Sequence, residues 1–123
     1  RDEQRQDGAV PMIAPEINVL DNEGGPAWAD ALLVVPWEHY LAYGDKALLA
    51  DIYPACEKFI TWLEANSPGW MRAAAGWQGF GDWLSTAETP KVLLGTAYFA
   101  RSVELMARIA QKPPTPSGFT IES

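Results

Sequence analysis

Read for apolar spacing, the chain resolves into three helix-period stretches separated by two long segments with no period. From Trp28 to Tyr43 apolar residues crowd nearly all round, with Glu38 and His39 among the few polar positions. That pattern predicts a helix buried by neighbours on several sides and ended by Gly44. Pro36 falls inside it and removes one backbone donor, so a kink or a locally open turn is expected there. Asp45 is placed to cap a second helix, DKALLADIYPACEKFITWLEAN, whose Leu48, Leu49, Ile52, Cys56, Phe59, Ile60 and Leu63 follow helical spacing. It stops before the turn signal Asn66-Ser67-Pro68-Gly69. Thr89 as N-cap with Pro90 at the first position starts a third helix through Val92, Ala97, Val103 and Ile109, slightly weakened by Gly95.

The intervening segments read differently. RDEQRQD is helix-friendly and ends at Gly8, as a helix tail with a left-handed C-cap would. AVPMIAPEINVLDNEGGP has no sustained period and reads as a long connecting loop, as does the Gly- and Trp-rich stretch 67–89. The expected organisation is a helical segment over 1–112 and an extended or disordered tail over 113–123. The fold class is all-α: no strand-period segment competes, and no internal repeat stands out. The short Gly44-Asp45 connection implies an antiparallel hairpin, which puts the long loops before Trp28 and before Pro90 at one common end. That end is the candidate site.

Length, charge and cysteine use narrow the classes. A chain of 123 residues is long enough for one modest core. Its net charge of -7 and scattered basic residues argue against nucleic acid, which needs clustered Lys and Arg. Six Trp without a basic stripe read as core plus a stacking surface. Cys56 is alone, so no intrachain disulfide forms, and its place in a helical pattern suggests a small buried residue. The longest apolar run, 31–37, is too short to span a bilayer. Arg1 is not an initiating residue, so a processed or truncated start is expected and the compartment stays open. No zinc, haem, phosphate-loop or nucleotide signature is present, so no metal or cofactor is expected.

The chemistry lies in two segments that each place a Trp near an acid: Trp28 with Asp30, and Trp83 with Asp82. An indole stacks on the apolar face of a sugar ring while a carboxylate accepts from its hydroxyls, a pairing that suits carbohydrate. Each residue also has a plainer reading. Trp28 fits a core aromatic closing a helix turn, Asp30 a helix N-terminus, and Asp82 a loop organiser. His39 reads as a hydrogen-bonded structural residue, and Trp37 and Trp62 as core. Trp70 and Trp77 fit either the cleft or the cover of the bundle's end.

From about Arg1 to Gln111, the ordered segments QDGAVPMIAP, GGPAWADALLVVPWEHYLAYGD, DIYPACEKFITWL and GFGDWLSTAETPKVLLGTAYFARSVELMARIA resemble the catalytic domain of bacterial α-L-rhamnosidases. The resemblance implies part of a toroid of six α/α hairpins, an inverting mechanism and a rhamnoside substrate. It also implies that Trp28 and Trp83 pack against the rhamnose methyl and ring, with Asp82 and Asp30 in matching local motifs. In that family an acidic motif upstream of the DG-x-VP loop gives the general acid, and a Glu followed by a His lies far downstream. Neither stretch is found here, and Arg1-Asp2-Glu3 echoes the acid motif only by chance. Inverting hydrolysis needs two carboxyl groups roughly 6.5–9.5 Å apart. The expectation is therefore a segment of an inverting glycosidase, inactive alone, with catalytic residues unassigned. The alternatives are a non-catalytic carbohydrate-binding or self-associating module, and another α/α-toroid glycosidase acting on fucosides or uronates. Self-association is expected because three helices of such a ring leave apolar flanks.

Overall fold

The computed structural model describes residues 1–16, 25–72 and 79–112. Among the described residues there are three α-helices and no strand: α1 (Ala31–Tyr43), α2 (Lys46–Ala65) and α3 (Lys91–Ala110), with a short 3-10 turn at Pro68–Trp70 before the second loop. Each helix packs against the other two. The core runs through Leu33 and Trp37 of α1, Leu49, Ile52, Cys56, Phe59 and Leu63 of α2, and Phe99, Leu105 and Ile109 of α3. Phe59 has no exposed surface and alone contributes about 2–3 kcal/mol by burial. The tail 113–123 and Trp77 lie outside the described residues.

Local signals explain most boundaries. α1 ends at Gly44, whose left-handed backbone (φ 70°) lets its amide reach the Tyr40 carbonyl at 2.7 Å. Asp45 caps α2 as expected, its carboxylate accepting from the Leu48 amide at 3.1 Å. Pro36 leaves α1 unbroken. The carbonyl it deprives of a helical donor belongs to Leu32, four residues earlier, and the buried Cys56 thiol donates to that oxygen at 3.6 Å.

Two expectations need correction. Residues 1–7 form turns, not a helix tail. Seven residues seldom hold a helix by themselves, and here tertiary bonds decide: the Gln4 amide donates to the Ala55 carbonyl of α2 at 2.9 Å and to the Gly8 carbonyl at 3.0 Å. Gly8 then lies flat on α2, where a β-carbon would stand 2.4 Å from the Lys58 carbonyl oxygen. The third helix begins one residue later than expected, with Pro90 rather than Thr89 at its cap position. The Thr89 hydroxyl is turned outward to Asp82 at 2.7 Å instead.

Candidate functional site

The two long connections do meet. Trp28, just before α1, lies in ring contact with Phe80 of the second loop, the centroids 5.7 Å apart and the planes at 59°. Phe80 in turn meets Trp83 at 6.1 Å and 31°. All three rings reach solvent, with 43%, 40% and 69% of their surfaces exposed. The result is a stepped aromatic patch in which Phe80 joins two indoles from separate loops. Sequence reasoning singled out Trp28 and Trp83 but passed over Phe80; its signal was an aromatic residue flanked on both sides by glycine. Those glycines have positive φ, 80° at Gly79 and 67° at Gly81, a backbone that other residues rarely adopt. Gly79 also packs directly on Pro26, where a β-carbon would fall 2.8 Å from the ring's Cδ.

The two acids differ from each other. Asp82 sits at the patch edge and organises its own loop: one carboxylate oxygen accepts from the Thr89 amide at 3.0 Å, the Thr89 hydroxyl at 2.7 Å and the Ser85 hydroxyl at 3.1 Å. The Thr89 bonds, which favour the ionised form, hold this carboxyl below the usual range. Asp30 has no exposed surface. Arg72 Nη1 donates to both of its oxygens, at 3.0 and 2.8 Å, Ser102 of α3 donates its hydroxyl, and the Ala27 amide donates at 2.9 Å. Asp30 thus faces away from solvent, and its side chain makes no cap bond to the first turn of α1 either. It ties that end of the helix to the second loop and to α3. Burial lowers the proton affinity of the Arg72 guanidinium, and the adjacent Asp30 opposes that effect.

The remaining surroundings are apolar. A cleft of about 320 Å³ opens between the N-terminal segment and α1, with Trp28, Met12, Ile13 and Val35 in its walls and Glu3 and Gln4 at the polar side. Among the described residues, no group of three or more His, Cys, Asp or Glu side chains is arranged to hold a metal ion. No helix among them is long and apolar enough to cross a membrane.

The family model for the bacterial alpha-L-rhamnosidase 6 hairpin glycosidase domain matches residues 1–114. The chain belongs to this family. The α-L-rhamnosidase of Streptomyces avermitilis is 46% identical over 111 residues, covering 89% of this chain and 10% of that enzyme. Those of an Alteromonas species and of Formosa agariphila are 32% and 27% identical, covering 89% and 90% of this chain and 13% and 12% of theirs. The crystal structure of the Streptomyces avermitilis enzyme complexed with L-rhamnose superposes with a TM-score of 0.83 at 44% identity, over 90% of this chain and 10% of that one. The chain thus spans about a tenth of the length of the relatives it matches.

In this rhamnosidase-family chain, His39, Trp37, Trp62 and Trp70 make structural contacts away from the patch. His39 Nε2 lies 3.4 Å from Asp45 and its ring packs on Tyr43. Trp37 is buried and Trp62 packs at the edge of the core. Trp70 stacks on Phe99 with centroids 6.1 Å apart, over the helices and not among the rings of the patch.

Proposed function

We propose that this chain is a segment of an inverting glycoside hydrolase that removes terminal α-L-rhamnosyl residues, and that Trp28 and Trp83, joined by Phe80, form the wall against which the sugar ring packs. The observation that carries the reading is the contact of Phe80 with both indoles, which turns two distant sequence motifs into one exposed surface. A 6-deoxy sugar offers a methyl group and an apolar ring face, and both gain by leaving water against indole. Asp82 borders that surface as an ionised acceptor for a sugar hydroxyl, while Asp30 serves from beneath it. The family match and the rhamnose-bound relative support the same sugar.

The 123-residue chain alone is expected to turn over little substrate. The carboxylates of Asp82 and Asp30 are both engaged, Asp82 by Thr89 and Ser85 and Asp30 by Arg72 and Ser102, so neither is placed to donate a proton to a leaving group. Titration of the chain with L-rhamnose and, in parallel, L-fucose, followed by tryptophan fluorescence, tests the binding reading. L-rhamnose should bind in preference, and Trp28→Ala or Trp83→Ala should abolish the response; equal responses, or variants that bind unchanged, would reject it. A chromogenic rhamnoside assay tests the rest: turnover lost on Glu3→Gln would show that the segment carries its own acid.

The exposed aliphatic side chains favour a second reading, a module that associates through its helices. Val35 and Leu41 of α1 and Leu93 of α3 each expose more than half of their surface. Sedimentation of the chain as a monomer at all accessible concentrations would dismiss it.

A further inference from the structure

We infer that Asp30 and Arg72 are positioning residues for the aromatic patch, setting where the Trp28 ring stands against Phe80. The inference rests on the carbohydrate reading for what the patch binds, though not for how the patch is held.

Three observations carry it. The Asp30 carboxylate is fully buried and takes donors from three separate parts of the chain: Ala27 beside Trp28, Arg72 at the start of the second loop, and Ser102 in α3. Ala27 is held at φ 72°, a left-handed backbone that alanine seldom adopts, and its amide is fixed by Asp30 Oδ2 at 2.9 Å. That strained residue directly precedes Trp28, so the carboxylate governs the direction in which the indole leaves the backbone. Arg72 is itself 97% buried, its guanidinium lying over the Phe59 ring at 5.9 Å, so the second loop departs from a point anchored in the core. One buried ion pair therefore fixes the origins of both ring-bearing connections relative to each other. Such a pair adds little net stability over apolar residues of equal volume, while it does demand one geometry, as a positioning device must.

The test uses the 123-residue chain and measures nuclear Overhauser contacts between the Trp28 indole and the Phe80 ring, alongside L-rhamnose affinity. Asp30→Asn and Arg72→Gln break the pair, the double variant removes both charges, and Ser102→Ala removes one donor and no charge. Expected are loss of the Trp28–Phe80 contacts and an affinity loss of about tenfold, with helical circular dichroism unchanged. In the double variant the thermal midpoint should recover towards the parent while the ring contacts stay absent. Retention of those contacts in the double variant or in either folded single variant overturns the inference; if both singles unfold, the double variant and Ser102→Ala decide. If the parent shows the ring contacts but binds no L-rhamnose, the carbohydrate reading fails, and the contact series still decides the positioning role.

Discussion

The Cys56 thiol donates to the Leu32 carbonyl, the oxygen that Pro36 leaves without its helical amide. A proline on the buried face of a helix would otherwise strand a polar atom in the core, and here the neighbouring helix supplies the donor. The cysteine that composition marked only as a small apolar filler thus has a specific partner.

Removing that donor should be costly only while the proline is present. Cys56→Ala is expected to destabilise the chain by about 1–2 kcal/mol, and Pro36→Ala in the Cys56→Ala background should recover part of the loss by returning an amide to Leu32. A double-mutant cycle in urea measures this; strict additivity would mean the two residues do not share the carbonyl.

Burial pushes the Cys56 thiol up to about 12, so it remains protonated through the ordinary pH range. A disulfide reagent at pH 8 should leave the folded chain unmodified, with labelling that rises only as denaturant opens the core. Rapid stoichiometric labelling of folded protein would contradict the packing described for α1 and α2.

Gly8→Ala should loosen the N-terminal segment from α2. Its φ of 104° alone makes alanine unfavourable by on the order of 2 kcal/mol, and the new methyl would also meet backbone at Lys58, which cannot swing aside. The expected outcome is a lower thermal midpoint with faster exchange of the Ala9 and Arg5 amides; an unchanged midpoint would rule out the close approach.

Asp82 makes the second loop sensitive to acid. Its folded value lies below the ordinary 3.8, chiefly through the Thr89 bonds, so it favours the folded loop at and above that pH and loses its contribution as pH falls through the lower folded value. The Thr89 amide resonance should titrate below pH 3.8, and Asp82→Asn should remove the transition. A Thr89 midpoint above that value would mean the carboxylate is not bonded as described.

The elements whose signals are local were legible in the sequence. α2 declared both its cap and its period, and Gly44 marked the end of α1 by backbone geometry alone. What was missed depended on contacts beyond the span of a single helix turn. Thr89 looked like an N-cap until Asp82, seven positions earlier, claimed its hydroxyl. Asp30 read as a sugar-facing acid or a helix-end acid because nothing near it in sequence announces Arg72, 42 residues away, or Ser102, 72 away. The residue-1–7 helix failed because Gln4 found a better partner on α2. Phe80 showed no period and no neighbouring acid, so only its contacts reveal it as the ring between two indoles.

Between Gly79 and Pro26 there is room for a hydrogen atom and nothing larger. Such a fit couples the two loops mechanically: a side chain added at position 79 would have to push the proline ring, and with it the chain entering α1. Substitutions that reshape the aromatic patch without unfolding it should therefore fall on the rims of these connections and spare the crossing point.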